Sequence, residues 1–435
     1  MLEITHTDAY KFSRLMYIIE AALEYFIAIA VSSIYLAKIA DYIGIQDGLT
    51  AILSAFVSLG CSFQLIAIFL GNKRPVKRWV TVSHTVSQAL FACMYLIPIV
   101  PMSTAMKTVV FVGVFLVAQI IHNVINSHKI NWFMSLVDDG KRGRFTANKE
   151  IVSLLGGMAF SYGMGLLMDH FEAQNNIRMA FVIGAITLFV LMVGHSLTLI
   201  LSKEKPVEKD FTPKPIKEYL GNLFKNKTLF KIILISVIWN VANNASTSFS
   251  GTYQTKELGF TTAFASLIIL VGSFARVLFS KPMGRLADKT SFCNMLTICF
   301  SIMAVCFALN VFTSPSNGKI LYSIYYIGHC IGMAGVNSSI INLIYDYVNK
   351  EERMCALALQ QTFGGLAGFF ITLALSPVIT YIQANGNTIF GMTVYAQQIF
   401  SLISCVMTIA LLVYMNTVVR KLDRVDTKQK GEVEL

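Results

Sequence analysis

Twelve apolar stretches, each long enough to cross a hydrocarbon layer, begin near Phe12, Gly48, Val80, Lys107, Thr146, Ile177, Thr228, Thr261, Cys293, Gly318, Ala356 and Thr393. A bilayer core of ~30 Å needs roughly 20 such residues per helix. In lipid every backbone N–H and C=O must be satisfied internally, so a spanning segment is a helix or part of a closed barrel. Barrel strands alternate apolar and polar residues over ~10 positions, whereas the run from Ala180 to Leu201 is apolar almost throughout. Composition agrees: of 435 residues 55% are hydrophobic and only 14% charged, more apolar than a soluble core requires. The expectation is an all-α polytopic membrane protein.

The chain also repeats itself. Asn126-Ser127-His128-Lys129-Ile130-Asn131, followed by Arg142, recurs 211 residues later as Asn337-Ser338-Ser339-Ile340-Ile341-Asn342, followed by Arg353. Glycine pairs follow in both copies, Gly156-Gly157 and Gly364-Gly365. Duplication inside apolar sequence points to two pseudo-symmetric six-helix bundles, read as residues 12–202 and 228–418. Between them, charges and prolines at 203–227 break the apolar pattern. There Ile216, Leu220, Leu223 and Phe224 sit at helical spacing, as in an amphipathic helix on the membrane surface. Residues 419–435 read as a polar tail.

Lys and Arg fall unevenly between the two sides. With both termini inside, 26 of the 35 lie in cytoplasmic segments and five in external loops, the rest lying within or at the edges of spans. This asymmetry orients the chain with both ends cytoplasmic in a plasma membrane, read as a bacterial cytoplasmic membrane. It also accounts for the net charge of +11 through anionic lipid, without nucleic acid. The first apolar stretch is too long for a signal-peptide core and contains Glu20 and Glu24, so it reads as a span. The eight cysteines form no Cys-x-x-Cys pair and read as buried thiols, with no metal or cofactor expected.

Polar side chains at membrane depth are costly and commonly mark a pathway. The fourth span offers Gln119, His122, Asn123 and Asn126 at spacings of three and four, and the seventh offers Asn240, Asn243 and Asn244 beside Trp239. The tenth adds His329 and Asn337, the eleventh Gln360 and Gln361. Amides both donate and accept, which suits neutral, hydroxyl-rich solutes; they also stabilise helix packing, and buried histidines are often simply hydrogen-bonded. Glu20 and Glu24 lie one turn apart, ~6 Å, on one face of the first span. Each would cost about 2.5–3.5 kcal/mol as a lone charge. They are expected either to carry a coupling proton, with Glu24 unpaired at mid-depth, or to form an ion pair with Lys129, Lys149 or Arg276.

At Gly284-Arg285-Leu286-Ala287-Asp288-Lys289, between the eighth and ninth spans, the chain resembles the loop signature of the major facilitator superfamily. The first-half counterpart, Gly71 to Arg78, keeps a basic turn without the acidic residue. Trp132, Leu136-Val137 and Arg142-Gly143-Arg144-Phe145 resemble a bacterial branch of that superfamily. The resemblance implies transport by alternating access, with Gly284, Asp288, Lys289, Arg142, Arg144, Arg276 and Arg353 as gating residues. Physically, a glycine there permits close helix approach and an aspartate pairs with arginine. The leading expectation is monomeric, proton-coupled uptake of a sugar, polyol or nucleoside. Efflux of cationic or amphiphilic compounds and a transporter-like sensor are the alternatives. An enzyme is not expected, since no His-Glu-x-x-His, Gly-x-Ser-x-Gly or nucleotide loop is present.

Overall fold

The computed structural model describes residues 10–69, 75–137, 142–205, 226–347, 353–389 and 391–422. The first span is broken: α1 (Lys11–Ala30) and α2 (Ser33–Ile43) meet at 41°. The break lies at Ser32, whose hydroxyl donates to the Ile29 carbonyl at 3.1 Å, and at Ser33, whose φ is +47°. Gly44, at φ +88°, ends α2 by donating back to Ala40 and Asp41, a left-handed closure that glycine adopts without a Cβ penalty.

Then follow α3 (Asp47–Phe69), α4 (Lys77–Cys93), α5 (Thr104–Ser135), α6 (Arg142–Ala173) and α7 (Ile177–Leu201). After the linker come α8 (Lys227–Thr247), α9 (Thr262–Lys289), α10 (Phe292–Val311), α11 (Gly318–Tyr347), α12 (Arg353–Ala384) and α13 (Ala396–Thr417). The seventh span continues beyond α8 through a π-helical turn at Tyr253–Glu257. Side-chain caps start several helices: Ser103 accepts from the Met106 amide, Asn226 from Leu229 and Ser291 from Asn294. Among the described residues nine helices are by themselves long and apolar enough to cross a membrane, ten with the bent first pair. α3 and α11 occupy the second and tenth places. Large apolar residues such as Ile320, Phe312 and Val109 remain exposed, as expected of faces that meet lipid.

The sequence repeat is a packing repeat. The first span packs on the fifth and sixth and the third on the fourth and sixth; likewise the seventh packs on the eleventh and twelfth and the ninth on the tenth and twelfth. α6 and α12 are each 32 residues long. Gly156 and Gly157 bring α6 against Phe26 and Tyr25 of α1, while Gly364 brings α12 against Ser236 and Asn240 of α8.

Two compact units result, one of residues 1–46, 63–210 and 261–267, the other of 47–62, 211–260 and 268–435. They differ from the halves read from sequence in two exchanged segments. The start of α3 belongs with the second unit, where Gly365 lies under the Ser58 carbonyl. The start of α9 belongs with the first, where Asp169 accepts from the Thr262 and Ala263 amides at 2.8 and 2.7 Å. The first unit's core includes Tyr17, Val80, Ile125, Trp132, Phe133 and Leu199; the second's includes Phe249, Leu375, Ile379 and Phe400. The amphipathic stretch expected at Ile216 to Phe224 lies outside the described residues.

Candidate functional site

The first unit buries a charged cluster drawn from four helices. Glu20 and Glu24 of α1 point to one side because they are four residues apart. Lys129 of α5 meets both, at 2.8 Å from Glu20 and in direct contact with Glu24. Its side chain is 3% exposed, against 0% for Glu20 and 13% for Glu24. Glu24 is therefore not the unpaired carboxylate that one expectation required; the ion pair with Lys129 is the arrangement formed. Charges at this depth persist only when paired, and Lys129 provides the pairing.

Three histidines complete the cluster. His195 of α7 places Nε2 2.9 Å from Glu20 Oε1, both side chains fully buried. His122 of α5 lies with Nε2 3.5 Å from Glu24 Oε1. His84 of α4 stands between them, its ring centroid 5.6 Å from that of His122 and 5.8 Å from that of His195. Both nitrogens of His84, the Nδ1 atoms of His122 and His195, and Glu20 Oε2 are buried without a hydrogen-bond partner. Glu24, His84 and His122, or Glu20, Glu24 and His195, offer ligand atoms within 4.8 Å of one another, a spacing that could hold a metal ion. Lys129 already brings to these carboxylates the positive charge such an ion would supply. On one flank Tyr17 stacks on Phe133 at 4.3 Å, with Lys149 over its ring at 5.5 Å.

His84 and His195 were missed in the sequence, although the rule that singles out His122 and His329, a histidine inside an apolar run, applies to both. The other expected residues fall in two groups. In the first unit Asn123 donates to the carbonyl and side-chain oxygens of Gln119 at 2.9 and 3.3 Å, and Asn126 is half-buried. In the second unit Asn240 donates to the Ser236 carbonyl, Asn244 to the Asn240 carbonyl, and Asn243 Oδ1 lies 3.0 Å from His329 Nε2. Ser58 donates to Asn244 Oδ1 at 3.0 Å, and Gln360 to the Ile340 carbonyl at 3.2 Å. Gln361 is half-buried on α12. Trp239, expected beside the solute, is 4% exposed and packs on Phe300 at 5.2 Å, because its face of α8 is turned toward α10.

Of the gating residues, Gly284 has no atom of the described residues within 4 Å of where a Cβ would stand. Lys289 is exposed at the end of α9, and Arg276 is half-buried on the same helix. The side chains of Arg142, Arg144, Asp288, Asn337 and Arg353 lie outside the described residues. Trp132 and Leu136 serve the core, with Trp132 Nε1 donating to the Lys203 carbonyl at 3.0 Å and Arg14 to the Leu136 carbonyl at 3.1 Å.

The architecture has known counterparts. The nucleoside transporter NupG is 19% identical and superposes with a TM-score of 0.66, covering 92% of this chain and 98% of its own. A D-xylose-proton symporter is 13% identical with a TM-score of 0.68, covering 93% and 97%. A peptide transporter of the POT family, autoinhibited, is 14% identical with a TM-score of 0.65, covering 94% and 98%. No curated protein matches the chain by sequence. The family model of the Major Facilitator Superfamily matches residues 15–372. With that match and this fold, the chain belongs to the Major Facilitator Superfamily, a family of membrane transporters.

Proposed function

We propose that the chain takes up a small polar solute, a sugar, polyol or nucleoside, by proton-coupled alternating access. The observation that carries this reading is the buried Glu20–Glu24–Lys129 cluster. Two carboxylates and one ammonium sum to −1, and a buried net charge favours binding of one further cation. Amides that both donate and accept suit such a solute: Asn123 and Asn126 on α5 in the first unit, and Asn240, Asn243 and Asn244 on α8 with Gln360 and Gln361 on α12 in the second. NupG and the xylose-proton symporter, which share the fold, transport solutes of this chemistry; the peptide transporter shares it too, so the fold leaves the substrate class open and the amides carry that choice. Lys129 cancels half the negative charge that would attract a cationic drug, which disfavours the efflux alternative. Arg142, Arg144, Asp288 and Arg353 are assigned to the cytoplasmic gate, with both termini on that side.

Purified protein in liposomes tests this. A thermal-shift screen over sugars, polyols and nucleosides selects the solute, since a ligand at 100 times its Kd stabilises by about 2.7 kcal/mol. An inside-alkaline gradient then drives its accumulation. Glu24→Gln, which mimics the protonated acid, is expected to keep counterflow while losing at least tenfold of gradient-driven accumulation. Undiminished accumulation by the Glu20→Gln, Glu24→Gln double variant sinks the coupling role.

A further inference from the structure

We infer that Arg276 of α9, beside His329 of α11 and Asn243 of α8, binds a carboxylate of the transported solute, so that the hydroxyl-rich solute is a sugar acid. This rests on the transport reading above and narrows its solute class; all three residues belong to the second unit.

From Thr262 to Ser280 the sequence of α9 carries one charge, Arg276, which at 1.5 Å per residue lies ~20 Å along the helix from Thr262. A cation inside an apolar span is costly in lipid and faces protein or an aqueous cavity. Gly272 stands one turn before Arg276 on the same face, and a Cβ there would lie 2.8 Å from both Cys330 Sγ and Tyr326 Cε1 of α11. Phe274 and Leu278, on the other face, are 58% and 60% exposed, as expected where a helix meets lipid. Arg276 is thus turned toward α11, where its charge acts on His329 and Cys330, and it is only half-buried.

Among the described residues no carboxylate pairs with Arg276. The described carboxylates of this unit, Asp47 and Glu257, are engaged elsewhere: Asp47 holds Lys256 at 2.6 Å, and Gln383 donates to Asp47 at 2.7 Å and to Glu257 at 3.0 Å. A guanidinium keeps its charge and offers a planar fork of donors that fits a carboxylate bidentately. Next to it His329 Nε2 lies 3.0 Å from Asn243 Oδ1. An amide oxygen only accepts, so the imidazole donates there and the Asn243 amide nitrogen is left as a further donor. Asn240, on the same face of α8, commits its nitrogen to the Ser236 carbonyl and keeps Oδ1 as an acceptor for a hydroxyl. The next cations along α9, Lys281 and Arg285, are exposed, so one positive charge faces α11. That matches the single charge of a carboxylate, whereas a phosphate ester, with about −1.5 to −2 at neutral pH, would be left partly unmatched.

Matched pairs of sugar acid and neutral counterpart test this on the purified full-length chain, by thermal shift and by equilibrium binding of radiolabelled solute: D-glucuronate with D-glucose, D-galacturonate with D-galactose, D-gluconate with D-glucitol, and glucose 6-phosphate beside them. At least one acid is expected to raise the unfolding midpoint while its neutral counterpart does not. Its affinity is expected to fall at least tenfold in Arg276→Gln and by less in Arg276→Lys, which keeps the charge and loses the fork. Without solute, Arg276→Gln is expected to melt no lower than the unsubstituted chain, since no described carboxylate loses its partner. A lower midpoint there makes Arg276 a structural ion-pair partner and overturns the proposal. So do equal binding of acid and neutral counterpart, acid binding unchanged in Arg276→Gln, tighter binding of glucose 6-phosphate, and binding of none of the acids. An acid that binds through Arg276 without gradient-driven accumulation in vesicles sinks the proton-coupled reading and leaves this site standing. Gradient-driven accumulation of a neutral sugar, undiminished in Arg276→Gln, does the reverse.

Discussion

Removing Lys129 would leave two carboxylates one turn apart in the first unit's interior, one of them fully buried, with no ammonium between them. Breaking a buried pair by deleting one partner costs about 3–5 kcal/mol, whereas neutralising the whole group together is often harmless. Lys129→Met is therefore expected to lower the midpoint of thermal unfolding in detergent sharply, and Glu20→Gln with Glu24→Gln in the same chain to restore most of the loss. If the triple variant melts no higher than the single one, the cluster is not held together by charge. The amides differ in scale. Asn123 and Asn240 bond within their own helices, an interaction worth about 0.6 kcal/mol in membrane helices, so alanine at either leaves stability nearly unchanged and any tenfold loss of solute affinity reports contact with the solute.

At the level of helices, glycine decides where two of them touch. A Cβ at Gly365 would lie 2.2 Å from the Ser58 carbonyl oxygen, which as backbone cannot swing aside. Gly365→Ala is thus expected to cost about 1–3 kcal/mol by overpacking. A Cβ at Gly284, the residue that the loop signature singles out, meets no atom of the described residues within 4 Å, so Gly284→Ala is expected to be neutral or to gain up to about 1 kcal/mol from helix propensity. Paired melting curves of the two variants check both signs. The 41° break between α1 and α2 belongs to the same scale. It follows Glu24 by two turns and frees α2 from the line that α1 sets for the two carboxylates.

Across the whole molecule, duplication sets the helices and divergence sets the chemistry. The two copies repeat the same helix pairings, yet Lys129 of the first corresponds to Ile340 of the second, and His128 to Ser339. At these two positions the second copy thus carries no charge. The exchanged segments tie each half into the other's compact unit. At one of them Asp169 caps the N-terminus of α9 through two amides, an arrangement worth about 1 kcal/mol. Asp169→Ala is expected to speed hydrogen–deuterium exchange of the Thr262 and Ala263 amides about fivefold. Unchanged exchange there would mean that packing of Gly165 against Ala263, and not the cap, holds the segment. At the other, Asp47 binds Lys256 at 2.6 Å and Gln383 at 2.7 Å.

What the sequence by itself determined is what depends on the solvent and on local chain geometry: an all-α membrane fold, its internal duplication, and the placing of Glu20 and Glu24 on one face of one apolar stretch. Bilayer thickness and the internal bonding of a helix fix these with no knowledge of neighbours. Tertiary structure alone decided which of the candidate partners Glu20 and Glu24 met, because Lys129, Lys149 and Arg276 all lie within or at the edges of apolar stretches and only packing of α1 on α5, α6 and α7 ranks them. It brought in His84 and His195, which are far apart in sequence from the glutamates and converge only once α4 and α7 close around α1. It buried Trp239 against Phe300, since periodicity says which residues share a face and not which face meets a neighbour. The exchange of 47–62 and 261–267 between units was likewise invisible, because long-range contacts between helices leave no local mark in the chain.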